Sequence, residues 1–344
     1  MYNSDPNNLK CRIVVDAMGG DFAPQNTVLG AVQALSENGN VELFLVGKKD
    51  EIKNVLKTNR LSFNENNIIN ADQLIEMGEN PVTALRQKPN SSIVIGAGLV
   101  KEKKADAFVS AGNTGAVMSA STLIIGRLSD VGRPTIGAEF PNINGKCYVY
   151  DVGAGKDAKP QHLLEYALMG SIYASEIGNI KNPSVGILSM GEEEGKGNDL
   201  SEAASKLLKK SNLNFVGNVE GRDILMGKIN VIICDGFLGN IVLKFGESVV
   251  NYLKFKLKEY SQRSFWKKLK VGIAKNSLKE ILHDFDYQEY GGVPLLGVNG
   301  ISIIGHGSST PKAIKNMVLK AEEMHAKNLV SKIEKSIKNY SNLV

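Results

Sequence analysis

Short β-branched runs alternate with amphipathic stretches along this chain. Near-continuous apolar runs at 12–16 (RIVVD), 41–46 (VELFLV), 107–110, 135–140, 147–152, 185–189 and 231–234 have the length of strands buried on both faces. Between them, apolar residues recur at helical spacing over 27–36, 92–103, 114–125, 161–177, 200–210, 240–260 and 312–335, which predicts helices. Strand then helix, repeated, predicts an α/β fold with a mainly parallel sheet and right-handed crossovers. The polar residues 1–11 read as an N-terminal extension, 12–338 as a single α/β domain and 339–344 as a tail. The Lys- and Asn-rich stretch 48–67 reads as surface.

Glycines punctuate the predicted strand ends. Gly19 and Gly20 follow the first strand, Gly112 and Gly115 the third, Gly153 and Gly155 the fifth. Gly191, Gly195 and Gly197 follow the sixth, and Gly236 and Gly239 the seventh. In open α/β sheets, ligands bind outside the carboxyl ends of the strands. Glycine there lets backbone N–H groups approach a ligand. Five such loops predict one ligand-binding rim.

Composition narrows the class. Across 344 residues, 42% are apolar and 22% charged, which excludes collagen, coiled coil and wholesale disorder. No apolar run nears the ~18 residues of a membrane span, and residues 1–10 hold no apolar signal core, so a cytosolic protein is expected. Cys11, Cys147 and Cys234 lie far apart, which suggests neither a disulfide framework nor a thiolate zinc site; Cys147 and Cys234 read as small buried hydrophobes. The net charge of +5 is mild, and only seven of 41 basic residues are Arg. That argues against a nucleic-acid partner.

The usual motifs are missing. No strand is followed by GxGxxG, no Gly-Lys pair is completed to a Walker loop, and neither HExxH nor GxSxG occurs. His162, His283, His306 and His325 are widely spaced, with no cluster at metal spacing. No metal or cofactor is expected.

The remaining candidates are loops compatible with anions. Ser110-Ala-Gly-Asn-Thr-Gly115 leaves a strand and opens a helix, so its N–H groups would face a negative ligand, with Asn113 and Thr114 adding donors; the alternative is an ordinary N-cap. In Asp151-Val-Gly-Ala-Gly-Lys-Asp-Ala-Lys-Pro160, Pro160 fits a first helical turn. Lys159 then sits at the helix mouth, where a nearby anion would relieve its repulsion from the dipole; otherwise it is a solvated lysine. Gly305-His-Gly-Ser-Ser309 places His306 between two glycines. Lys196, between Gly195 and Gly197, could reach a developing negative charge; the carboxylates of Glu192, Glu193 and Glu194 beside it fit a metal or a solvated loop.

The segment 244–285 stands apart. Ten basic residues fall between 244 and 279, opposed only by Glu247 and Glu259. Val249, Val250, Leu253, Leu257 and Tyr260 form a helical stripe, and Phe265 and Trp266 precede Lys267, Lys268 and Leu269. A basic amphipathic segment with aromatics reads as a membrane-surface helix. Dimer packing and a docking face for an acidic protein are the alternatives.

Taken together, these blocks resemble the phosphate acyltransferase family, PlsX type. The resemblance rests on Asp16-Ala-Met-Gly-Gly-Asp21 with Ala23-Pro24, the Ser110 to Ala116 loop, Arg133-Pro134 and Asp151-Val-Gly-Ala154. It continues through Lys159-Pro160 with His162-Leu163, Met169-Gly170, Glu193-Glu194 and Lys196-Gly-Asn198. Gly217-Asn-Val-Glu220, Asp235-Gly-Phe237 with Gly239-Asn240, Gly291-Gly292 and His306-Gly-Ser-Ser309 complete it. The blocks come in family order over 12–323. Two departures stand out: the polar extension before Arg12, and Gly155 where the family pattern has Asn.

The resemblance implies a three-layer α/β/α sandwich of the phosphotransacetylase and isocitrate-dehydrogenase kind. It implies attack of inorganic phosphate on a long-chain acyl thioester of acyl carrier protein, giving acyl phosphate and free carrier thiol. A membrane-bound acyltransferase would then use the acyl phosphate to acylate glycerol 3-phosphate for phospholipid synthesis. Family members resemble homodimers attached peripherally to the inner face of the cell membrane. Lys196 and His306 are then expected to stabilise charge on phosphate or thioester oxygen. Asn113, Thr114, Lys159, Ser308 and Ser309 are expected to form the phosphate and oxyanion site, with Gly19, Gly20, Gly115, Gly153, Gly236, Gly307 and Asn198 lining it. Asp16, Asp151 and Asp235 would orient donors or cap loops. Asn218, Glu220 and Asn240 would shape the acyl or pantetheine approach. The rival readings are a phosphotransacetylase acting on acyl-coenzyme A, a metal- and NAD-dependent decarboxylating dehydrogenase, and a non-catalytic membrane-associated scaffold.

Overall fold

The computed structural model describes residues 10–155, 157–281, 283–285 and 288–341. Among them, eleven strands form one sheet: β1 (Cys11–Asp16), β2 (Val41–Gly47), β3 (Ile68–Asn70), β4 (Ala107–Ser110), β5 (Thr135–Asn142), β6 (Gly145–Tyr150), β7 (Ser184–Leu188), β8 (Asn214–Val219), β9 (Val231–Ile233), β10 (Val293–Leu296) and β11 (Ile301–Ile304). The order across the sheet is β3-β2-β1-β4-β11-β10-β5-β6-β9-β7-β8.

Helices cover both faces. One layer holds α1 (Gln25–Glu37), α2 (Lys49–Thr58), α6 (Pro160–Glu176), α7 (Asp199–Leu208), α11 (Pro311–Ala326) and α12 (Leu329–Ser341). The other holds α3 (Pro81–Gln87), α4 (Ser92–Lys101), α5 (Thr114–Ala120), α8 (Asp223–Met226) and the start of α9 (Gly236–Gln262). Each layer has its own apolar core, one around Ile13, Leu43 and Tyr166, the other around Val14, Phe108 and Ile232. Consecutive residues of β1 serve opposite cores, as the pleat requires. The three-layer α/β/α sandwich is therefore observed.

Strand sense changes the expected picture of the site. Seven of the ten neighbouring pairs are parallel. The three antiparallel pairings, β11 with β10, β10 with β5 and β5 with β6, are consecutive at the middle of the sheet. An odd number of reversals makes the two parallel groups run in opposite senses. The carboxyl ends of β1, β4 and β11 thus lie on one edge of the sheet, and those of β6, β9, β7 and β8 on the other. The single rim expected from five glycine loops is two rims.

Several elements escape the hydrophobic pattern. Strands β10 and β11 are four residues each, too short to show a period, and β3 has three. Strand β8 carries Gly217 and two Asn in six residues. The surface stretch 48–67 contains α2, whose Ile52, Val55 and Leu56 are buried. The helix expected over 312–335 is two helices, α11 and α12, parted where Asn328 takes φ +52°. Strand β1 begins one residue before the expected boundary, and α12 runs into the expected tail. Residues 1–9 and 342–344 lie outside the described residues.

The basic segment is a helical hairpin. α9 is ~40 Å long at 1.5 Å per residue, with only Gly236 and Gly239 buried. It leaves the second edge at Asp235 and by Gly246 lies beside the Phe140 ring near the far end of β5. Its remainder extends outward, and α10 (Phe265–Ile281) packs back along it. Phe255, Phe265, Trp266, Leu269 and Ile273 are all exposed.

Candidate functional site

The first edge is organised by Asp16. This buried carboxylate accepts from the Met18 N–H at 3.1 Å and the Ser110 hydroxyl at 2.7 Å. Ser110 Oγ in turn accepts from the Gly112 N–H at 3.0 Å. Burial pushes the Asp16 carboxyl up, against these hydrogen bonds. A Cβ at Gly19 would lie 2.6 Å from Asp16 Oδ2, so the loop closes only on glycine. The loop after β11 joins in: the Asp21 N–H donates to the Gly307 carbonyl at 2.7 Å, and Asn26 Nδ2 to the Ser309 carbonyl at 3.1 Å. His306 is exposed, with Nδ1 at 2.8 Å from Ser308 Oγ.

The second edge is organised by Asp151, on a similar plan. Its buried carboxylate collects N–H groups from Gly153 at 3.1 Å, Ala154 at 2.8 Å, Gly155 at 3.0 Å and, weakly, Ile136 at 3.4 Å. Burial raises this carboxyl too. A Cβ at Gly236 would lie 2.6 Å from Asp151 Oδ2. The neighbouring loops carry arginines and lysines as well as carboxylates, among them Glu165, which accepts from the Gly132 N–H at 2.9 Å. Arg127 donates to the Gly132 carbonyl and Arg133 to the Asp157 carbonyl. Lys159 is exposed as the N-cap residue of α6. Its N–H donates to His162 Nδ1 at 3.1 Å. Burial, then Arg133, Lys159 and Arg127, pull the His162 imidazole below its usual range. Lys196 is exposed on the loop after β7; its carbonyl accepts from Ser189 Oγ at 2.8 Å and Asn218 Nδ2 at 2.7 Å. Two buried hydroxyls here, Thr135 Oγ1 and Tyr166 Oη, find no hydrogen-bond partner in the protein.

The chain matches the family model described as fatty acid synthesis protein over residues 11–332. It is 47% identical over 330 residues to the phosphate acyltransferase of Halothermothrix orenii, covering 95% of this chain and 98% of that one. Identity to the phosphate acyltransferase of Heliobacterium modesticaldum is also 47%, over 327 residues, with 95% and 97% covered. The chain belongs to the phosphate acyltransferase family. Among solved structures, a phosphotransacetylase from Streptococcus pyogenes superposes with a TM-score of 0.62 at 19% identity, over 92% of this chain and 94% of that one. One from Staphylococcus aureus gives 0.58 at 16%, with the same coverage. Both share the fold.

Within this family fold, the candidate residues separate. Asp16, Gly19, Gly20, Asn113, Thr114, Gly115, His306, Gly307, Ser308 and Ser309 belong to the first edge. Asp151, Gly153, Lys159, Lys196, Asn198, Asn218, Glu220, Asp235, Gly236 and Asn240 belong to the second. Lys196 and His306 are therefore not brought together by one sheet edge.

Several candidate side chains are engaged within the scaffold. Asn113 caps α5 through Oδ1, and its Nδ2 donates to the carbonyls of Glu76, Met77 and Glu79. Asn198 caps α7 and Asp235 caps α9. The Ser309 hydroxyl donates to the His306 carbonyl at 2.6 Å. Glu220 pairs with Arg222 at 2.9 Å. Each loop thus satisfies its own polar atoms.

Arg127 and Arg133 are the residues that sequence reasoning passed over. The Arg133-Pro134 block was the available signal, but nothing in it says where the guanidinium points. Gly155 now has a reason: a Cβ there would lie 2.4 Å from Arg133 Cζ, so the glycine admits the guanidinium. The cysteines are all buried, and desolvation pushes the Cys147 thiol to about 12. Cys11, Asp106 and His325, remote in sequence, place ligand atoms within 4.8 Å of one another. Asp106 there is already paired to Arg12 at 2.7 Å.

Proposed function

We propose that this chain transfers a long-chain acyl group from acyl carrier protein to inorganic phosphate, at the second edge. The observation that carries this reading is the grouping of Arg133, Lys159 and Arg127 about His162, with the Arg133 guanidinium against Gly155 of the Asp151 collar; Lys196 lies on the loop after β7 at the same edge. Phosphate is both nucleophile and dianion. It needs cations to gather it, and no activated Ser or Cys. A phosphate oxygen adds to the thioester carbonyl, the carbon–sulfur bond breaks, and the carrier thiolate leaves and takes up a proton. A thiol with pKa near ~8.5 leaves with little acid assistance. Lys196, on its glycine-flanked loop, stabilises the oxyanion of the addition step. Arg133 and Lys159 hold phosphate in line, so proximity supplies much of the rate. Asn240, beside Gly153, and Asn218, which anchors the Lys196 loop, position the approach.

The test follows palmitoyl-acyl carrier protein with and without inorganic phosphate. Phosphate-dependent acyl phosphate and equimolar free carrier thiol are expected. Turnover of acyl-coenzyme A alone would move the chain to the phosphotransacetylase reading. Silence with both donors would favour the scaffold.

The exposed hairpin favours peripheral attachment to the inner membrane face, where a membrane-bound glycerol-3-phosphate acyltransferase takes the lipophilic product. Its exposed Phe265, Trp266 and Leu269 lie beside Lys267 and Lys268, as an anionic bilayer surface requires. Replacing Trp266 and Leu269 with Asp should abolish vesicle binding; unchanged binding would assign the hairpin to homodimer packing.

A further inference from the structure

An apolar pocket of about 370 Å³ opens at the second edge, between the polar loops and the ends of β7 and β9. That volume suits a small-molecule site, which spans roughly 300–1,000 Å³. Leu163 and Cys234, both buried, form part of its lining, with Leu200 from α7 and Val242 from α9. Asp235 and Asn198, the caps of α9 and α7, also line it. So does Met190, an apolar side chain that is 81% exposed.

Two features narrow the occupant. The lining takes side chains from both apolar cores, Leu163 and Leu200 from one, Cys234 and Val242 from the other. It therefore reaches past the sheet edge into the interior, where a polar ligand would lose its hydration without recompense. Its polar residues, Ser189, Asn198, Ser201 and Asp235, come from the loops and helix starts of the second edge. A ligand with an apolar body and a polar, reacting head fits both.

We infer that this pocket receives the hydrocarbon part of the acyl group, and that Val242 and Leu200 set the chain length accepted. The inference rests on the acyl-transfer reading of the same edge. Cys234 packs here as a wall atom, its Sγ donating to the Asp151 carbonyl at 3.5 Å. This couples the pocket to the collar.

Binding separates this inference from the reaction. Octanoate, laurate and palmitate are titrated calorimetrically, below micelle-forming concentrations, into the full chain and into Val242→Phe, Leu200→Phe and Val242→Ala. Affinity should rise about fourfold per methylene while the pocket still has room, then level off. Either Phe variant should lower the palmitate-to-octanoate affinity ratio at least tenfold, and Val242→Ala should raise it. One ratio shared by the wild type and all three variants would overturn the pocket. Phosphate-dependent turnover is measured on the same preparations. A shifted ratio without turnover in the wild type would sink the reaction and keep the pocket; turnover with an unshifted ratio would do the reverse.

Discussion

Asp16 and Asp151 end strands in the two oppositely directed halves of the sheet, and each is buried inside a collar of donors. In each, a facing glycine, Gly19 or Gly236, would place a Cβ 2.6 Å from a carboxylate oxygen. The collars differ in how they are closed and in what lies outside them. Asp16 is held partly by a hydroxyl, Ser110, which can turn. Asp151 is held by four backbone N–H groups, which cannot. Outside Asp16 stand exposed Asp21 and the His306 loop; near Asp151 stand Arg133, Arg127 and Lys159, with Glu165 beside Gly132. A buried aspartate with facing glycines is thus a device for building a tight loop. On the proposed reading, the charge around the loop is what separates the two edges as phosphate sites.

The largest expected contrast is catalytic. Lys196→Ala should lower kcat/KM by roughly 10²–10³, the usual loss of an oxyanion donor, and His306→Ala by less than tenfold. Equal losses in steady-state assays would mean that the two edges act together, as when a second protomer joins them.

Stability gives the next contrast. Asp151→Asn turns one acceptor into a donor facing the Gly155 N–H, stranding two polar groups at a cost of about 3 kcal/mol. At position 16 the Ser110 hydroxyl can accept from the new amide, so Asp16→Asn should cost only about 1 kcal/mol. Urea midpoints for the two variants test this, and similar midpoints would erase the distinction between the collars.

What the collars share should show in the glycines. Gly19→Ala and Gly236→Ala should each destabilise by about 1–3 kcal/mol through overpacking. A neutral result at either position would show that its carboxylate can swing away.

The smallest effect is a pH slope. Burial holds both carboxyls above their ordinary value, so the folded chain keeps a proton that the unfolded chain has released. The stability this gives is complete below the ordinary carboxylate range, near ~3.9, and is lost as pH rises through the raised value. Asp16→Asn should flatten its share of that decline in urea titrations across the acid range. An unchanged slope would mean the hydrogen bonds to Asp16 offset its burial.

Much of this was legible along the chain. The runs at 12–16, 41–46 and 147–152 became β1, β2 and β6 because both faces of a central strand are covered, which leaves an unbroken apolar signature. Asp16, Asp151 and Asp235 stood out at strand ends, and in the structure they accept from loop N–H groups. Strands β10 and β11 were not legible: four residues between glycines carry no period, and beyond their mutual hairpin their partners β5 and β4 are far away in sequence. The committed side chains of Asn113 and Ser309 were not legible either, since their partners lie on other segments or depend on a local turn.

The sequence by itself determined the alternation of strand and helix, the glycine loops at strand ends, the basic amphipathic segment and the family. These are properties of local composition and spacing, and they survive in any arrangement of the elements. Only the tertiary structure decided that the loops occupy two edges and that Arg127, Arg133 and Lys159 meet about His162 at one of them. Strand sense is set by the pairing of β11, β10, β5 and β6. The β11–β10 and β5–β6 pairings are local hairpins, but the β10–β5 pairing that joins the two halves brings together segments far apart in sequence, and no window of residues contains it.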